Sequence, residues 1–215
     1  MKIDICKSLL TIAVLSIGMF DAAVADATPI TFNFAGNVAS VDSSLGSTFS
    51  VGQTLSGSYT FGSTTADSEV DPAFGLYGNA LTTLSFTIGS YIGTLGVGAS
   101  EFAVSNSPPP PTGIGDFYDL TADPVSGPSV GSDPPKTFAL RVRDDTASAL
   151  SSDALPVTPP DLAIFTSTTW FLLFDSGAQV GGPLTSLTLA IPEPSSLVLF
   201  IYGLAGLALW ARRRR

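Results

Sequence analysis

An all-β protein is predicted, an antiparallel β-sandwich of jelly-roll type flanked by an N-terminal signal helix and a C-terminal transmembrane helix. Three observations predict it. Apolar and polar residues alternate with period two in short runs, glycine and proline punctuate those runs (21 Gly and 16 Pro in 215 residues), and each end of the chain carries one uncharged apolar segment. In order along the chain, Ile30, Phe32 and Phe34 alternate with Thr31 and Asn33, and Leu55, Gly57, Tyr59 and Phe61 with Ser56, Ser58 and Thr60. Leu84, Phe86 and Ile88 follow the same rule, as do Phe138, Leu140 and Val142 against Arg141 and Arg143, and Leu187, Leu189 and Ile191 against Thr188. Such alternation marks strands with one wet face. Trp170 to Phe174 (WFLLF) is apolar throughout and predicts a central strand covered on both sides. Between the runs lie turn-formers, GSYIG from Gly89, SNSPPPPTGIG from Ser105 and DPVSGPSVGSDPP from Asp123, while PPDLAIF from Pro159 has room for one short helical turn. LTTLSFTI from Leu81 and LTSLTLAI from Leu184 look alike, but share only the strand pattern rather than a repeat.

The two ends read as address labels. Lys2 and Lys7 precede the apolar stretch Leu9 to Phe20, and DAAVADA then offers small-residue cleavage sites after Ala25 or Ala27. That order of charged, apolar and small residues is a secretory signal peptide, assigned to residues 1–25. At the other end residues 195–211 carry no charge, and at about 1.5 Å per residue they cover roughly 25 Å, near the lower limit for a membrane-spanning helix. Leu197, Phe200, Leu204 and Leu207 would form its apolar body and Trp210 its interfacial aromatic. Arg212, Arg213, Arg214 and Arg215 would hold that end on the cytoplasmic side. Immediately before the helix stand Pro192, Glu193 and Pro194. Two prolines around one residue enter neither helix nor ladder, so this box is extended and open to a processing enzyme.

A PEP box, a short apolar helix and a terminal arginine cluster together resemble the PEP-CTERM sorting signal of Gram-negative bacteria that make exopolysaccharide, a tail also catalogued as the ice-binding protein C-terminal motif. The resemblance covers residues 191–215 together with the signal peptide. It implies export through the Sec translocon, a transient stay in the inner membrane and processing by an exosortase near the box. In that scheme Pro192, Glu193 and Pro194 are the recognition box, Leu197 to Trp210 the anchor, and Arg212 to Arg215 the retention signal. The ice-binding title brings no activity with it, because the Thr pairs Thr64-Thr65, Thr82-Thr83 and Thr168-Thr169 are scattered along the chain.

Residues 26–190 remain as one exported β domain, of ordinary size for a single core. The whole chain carries a net charge of −9; residues 28–191 hold three basic side chains, Lys136, Arg141 and Arg143, against fourteen acidic ones, a net charge of −11. Such a surface repels phosphate, so nucleic acid is not expected as a partner. Cys6, the one cysteine, lies in the signal segment, and the domain must stand without disulfides. Histidine is absent, which removes the commonest general base and the commonest metal ligand together. Gly127-Pro128-Ser129-Val130-Gly131 matches a nucleophile elbow in letters only, in a Pro/Gly loop without a histidine partner. Asp67, Glu69 and Asp71 have calcium-loop spacing, yet Pro72 and Gly78 stand where glycine and glutamate are required. A solvated acidic turn is the simpler reading there, with a looser calcium site as the alternative. Asp144-Asp145 reads as a charged turn, and Asp116 with Asp119 as no identifiable catalytic pair.

The expectation is a non-enzymatic protein without catalytic residues, metal or cofactor. It would be a structural or adhesion-like component of the cell surface or of the exopolysaccharide biofilm matrix. The alternative is a module that binds or processes carbohydrate, which an exposed row of aromatics beside paired carboxylates would favour; inward-pointing aromatics would favour the first. A third reading, a permanently anchored inner-membrane protein, predicts an intact tail.

Overall fold

The computed structural model describes residues 29–190. The expectations placed on Ala25 and the signal segment, on Pro192, Glu193 and Pro194, on Leu197, Phe200, Leu204, Leu207 and Trp210, and on Arg212 to Arg215 lie outside the described residues. Among the described residues no helix is long and apolar enough to cross a membrane.

The described chain is all-β. Its strands are β1 (Pro29–Asn37), β2 (Ser40–Val41), β3 (Thr54–Gly62), β4 (Phe74–Gly78), β5 (Leu81–Ile88), β6 (Tyr91–Asn106), β7 (Asp116–Ser126), β8 (Pro135–Asp144), β9 (Ser167–Phe174) and β10 (Gln179–Leu189). Among the described residues helical geometry is confined to two 3-10 turns, Ser43–Leu45 and Leu162–Ile164, the second within the PPDLAIF stretch. All neighbouring strands pair antiparallel in the order β1-β3-β5-β6-β7-β8-β9-β10. β10 then returns to β1, with Phe32 opposite Leu189 and Phe34 opposite Leu187, so these eight strands close on themselves. β2 extends the wall beside β10, and β4 pairs with β6.

This closed, up-and-down barrel differs from the jelly-roll sandwich the sequence predicts. Period-two alternation reports one buried face per strand; it is silent on whether buried faces belong to two sheets or to one sheet rolled shut. Curvature has local sources. β6 shifts register between Leu95 and Ala99, across Gly96 and Gly98, and bends so that its first half meets β5 and its second half β4. Closure leaves no long open edge, which matters because β1, β3, β5, β9 and β10 carry no charged residue to deter edge pairing.

Eight strands leave an interior that side chains can fill, and here aromatic rings fill it. Phe32, Tyr59, Phe61, Phe102 and Phe138 are all 0% exposed, with Phe86, Tyr118 and Trp170 at 1%. Phe86 stacks on Phe138 with ring centroids 4.4 Å apart, and Phe61 meets Phe102 at 5.2 Å. Burial of each such ring contributes about 1.5–3 kcal/mol. Two glycines make room for them. A Cβ on Gly57 would collide with the Phe34 ring, and one on Gly93 with the Phe86 ring. At the centre the Tyr59 and Tyr118 hydroxyls bond each other at 2.9 Å, and burial pushes both far above the usual tyrosine range.

Both ends of the barrel are stoppered. Leu45 and Phe49 close one, with the Phe49 ring 5.0 Å from Tyr91 and 6.0 Å from Phe174. The long β8–β9 connection closes the other by placing Leu155 and Phe165 in the core. Two sequence readings need correction. WFLLF alternates rather than being covered on both sides, with Trp170, Leu172 and Phe174 buried and Phe171 and Leu173 half-buried. Leu189 is 46% exposed, because the end of β10 runs past the core.

Candidate functional site: an outer groove over β8, β9 and β10

With the interior occupied by rings, chemistry is left to the outer wall. Within the strands, charges occur only on β6, β7 and β8, and all three basic residues of the domain lie on β8. Register explains how they meet. Asp119 on β7 stands opposite Arg141 on β8, which stands opposite Thr169 on β9. Arg143, two residues along the same face, donates from Nη2 to Asp119 Oδ2 at 2.8 Å, while Arg141 Nε lies 3.8 Å from the same oxygen. Burial pushes the Asp119 carboxyl up, against the opposing pull of Arg143 and then Arg141. Each guanidinium also covers an aromatic face, Arg143 over Phe117 at 4.7 Å and Arg141 over Phe171 at 4.9 Å.

The neighbouring row runs Ser40, Gly181, Phe171, Ala139 across β2, β10, β9 and β8. Phe171 is thus flanked by glycine and alanine, neither of which reaches over its ring. Beside it opens a groove of about 430 Å³ lined by Ser40, Arg141, Thr169, Phe171, Gln179 and Gly181 among others. Its polar side chains are weakly engaged. Thr169 Oγ1 reaches the Arg141 carbonyl only at 3.4 Å, Ser40 Oγ reaches the Gly181 carbonyl at 3.4 Å, and the Gln179 carboxamide makes no hydrogen bond among the described residues. A surface of this kind can bind a polar ligand, having donors, one cation and one aromatic edge. It presents no nucleophile paired with a base.

A second cluster sits where the β8–β9 connection meets the barrel end. Asp116 and Asp144 are opposite each other on β7 and β8, each 1% exposed. Asp116 Oδ2 accepts the Ala149 and Leu150 N–H groups at 2.8 Å, whereas its Oδ1 is buried without a partner. Asp144 accepts from the Ser148 N–H at 2.9 Å and from the Thr146 hydroxyl and N–H, donors that hold its carboxyl down at about 2. Both carboxylates therefore fasten the connection that stoppers the barrel.

The residues weighed from the sequence fall as follows. Ser129 lies in the β7–β8 loop with no helix after it. Asp67 Oδ1 accepts the Glu69 and Leu76 N–H groups and Asp71 Oδ1 that of Ala73, so these carboxylates tie their own turn. Among the described residues no three acidic, histidine or cysteine side chains gather as a metal site. Asp116 and Asp119 point to opposite faces of β7, Asp116 sharing the parity of buried Tyr118 and Leu120. Asp144 is buried rather than part of an exposed turn. Sequence reasoning missed the Arg141–Phe171 groove, because it is assembled across four strands whose register no local pattern encodes. The one available signal was the concentration of every domain base in one strand of an acidic protein. Comparison with family models, with curated proteins and with solved structures finds no match to this chain.

Proposed function

We propose that this chain is an exported, non-enzymatic structural or adhesion-like component of the cell surface or of an extracellular polysaccharide matrix. The signal segment 1–25 directs it through the Sec translocon, and residues 195–211 hold it transiently in the inner membrane. An exosortase then processes it near Pro192, Glu193 and Pro194. The observation that carries this reading is the pairing of two terminal address signals with a histidine-free domain. Support comes from the aromatics, most of which are buried in the barrel; Phe117 and Phe171 lie on the outer wall, each under an arginine, and among the described residues they form no exposed aromatic row of the kind a carbohydrate-processing cleft uses. No cofactor, metal or nucleic-acid partner is required. Mass spectrometry of the C-terminus of mature protein, from cells with and without the exosortase, tests it. A truncated tail only in the presence of the enzyme is expected, and identical full-length tails in both would end the sorting reading in favour of a permanent membrane anchor.

The second reading is a carbohydrate-binding module. Its specific observation is the outer groove, which hydroxyl and carboxamide groups line together with Phe171 and the Arg141 guanidinium that lies over its ring.

A further inference from the structure

We propose that the groove over β2, β8, β9 and β10 binds a single uronic-acid unit of a glycan, with the sugar carboxylate seated on Arg141. The inference rests on the carbohydrate-binding reading and not on the route of export.

The first argument is charge. Asp119 is one carboxylate between two arginines, and Arg143 holds it at 2.8 Å while Arg141 stays 3.8 Å away. Arg141 has a side chain 46% exposed and lines the groove, and among the described residues neither of its terminal nitrogens has an anion against it. A planar carboxylate is the group that this fork takes in two parallel bonds. The domain's net charge of −11 sets an upper limit on the ligand, since a polyphosphate or a densely charged polyanion would be repelled by the rest of the surface.

The second argument is the spacing of uncharged donors and acceptors around that cation. Thr169 adjoins Arg141 across β9, while Ser40 and Gln179 lie beyond Phe171 on β2 and β10. All three keep spare hydrogen-bonding capacity, which suits the vicinal hydroxyls of a pyranose ring. Phe171 lies between these groups and Arg141, whose guanidinium covers one side of the ring; its cross-strand neighbours Gly181 and Ala139 are small, so the half-buried ring offers its remaining apolar surface to a C–H face of the sugar. A neutral sugar would use the hydroxyl partners and leave Arg141 idle; a bare anion would do the reverse. A uronate engages both.

The test compares methyl β-glucuronide with methyl β-glucoside, which differ in one carboxylate, and uses the full chain in detergent micelles. Affinity is read by titration and location by the NMR signals of the Gln179 carboxamide and the Arg141 Nε–H. The glucuronide is expected to bind about tenfold or more tightly than the glucoside, as a charge-assisted pair implies. Arg141→Gln should erase that preference, Phe171→Ala should weaken both sugars alike, and Lys136→Gln should change neither. Equal binding of the two sugars, a preference that survives Arg141→Gln, or signals moving only outside the groove would overturn the proposal. Acetate competing as tightly as the glucuronide would also overturn it, because the site would then read an anion and not a sugar. Whether the tail is cut leaves all these outcomes untouched, so failure here and failure of the export reading are separable.

Discussion

The barrel wall has two halves that are alike inside and unlike outside. β10, β1, β3 and β5 carry no charge, and their outer faces present hydroxyls and small side chains. Thr31 bonds Thr60 Oγ1 to Oγ1 at 2.8 Å, and Ser56 bonds Thr87 at 2.9 Å. β6, β7 and β8 hold every charged residue found in a strand, with Asp119 drawing Arg141 and Arg143 together. Inward, each half contributes aromatic rings buried to the same degree, Phe32, Tyr59 and Phe61 from one, Phe102, Tyr118 and Phe138 from the other. The lesson is a division of labour within each strand. Inward residues fix the barrel and are interchangeable between halves; outward residues decide what the protein touches, and they differ.

The largest effects should therefore ignore the halves. Phe61→Ala and Phe138→Ala each remove a ring that is fully buried, and each should lower unfolding free energy by about 3–5 kcal/mol in urea titration. A gap between them of more than about 2 kcal/mol would break the claim that the interior is packed alike on both sides. Next comes the contact that joins the halves, the Tyr59–Tyr118 hydroxyl pair at 2.9 Å. Tyr118→Phe strands the Tyr59 hydroxyl in the core and should cost about 1–3 kcal/mol. Adding Tyr59→Phe should recover part of that loss, since an apolar pair asks for no partner. A double variant worse than the single by the full amount would show that the hydroxyls bond elsewhere.

These expectations depend on features that were unequally legible in the sequence. Phe32, Tyr59, Phe86 and Leu140 were readable as core because alternation is local, and the strand class followed. Closure was not readable, since the β1–β10 register joins residues about 150 positions apart and no local pattern records it. For the same reason Asp144 passed for a surface turn residue; its burial follows from sharing the parity of Phe138, Leu140 and Val142 and from the connection folding over it. The groove was the least visible, since its eight lining residues come from four strands.

A third test addresses the stopper at the barrel end on the charged half. Asp144 is held down at about 2 against an ordinary 3.8, chiefly by the Ser148 N–H and then by the Thr146 hydroxyl. A carboxylate depressed in the folded state contributes stability that is fully present above its unfolded value and lost as pH falls through its folded value. Melting temperature should thus decline on acidification through the window from 3.8 towards 2. Asp144→Asn, which keeps the shape but cannot ionise, should flatten that part of the acid limb. The opposite end, closed by Leu45 and Phe49, has no such buried carboxylate in its stopper among the described residues, so an unchanged acid limb in the variant would mean that the connection is not fastened by charge.

The smallest effects belong to the outer wall, where the halves should finally diverge. Thr60→Ala removes one hydroxyl from the Thr31 pair and leaves the backbone ladder intact, including the Thr60 carbonyl that accepts from Thr82. Both partners are reached by water, so the loss should stay within about 0.5 kcal/mol. Arg143→Gln is different in kind. It leaves Asp119, whose side chain is 13% exposed, with only Arg141 at 3.8 Å, and one of its oxygens is already buried without a partner. The pair is partly screened because Arg143 is 44% exposed, so the expected cost is about 1 kcal/mol, with weaker dependence on salt in the variant than in the parent. If Thr60→Ala proves the more damaging of the two, then the hydroxyl rows and not the ion pair stiffen the wall. The charged half would then be free of structural duty, its arginines held by Asp119 only loosely and disposed towards a ligand.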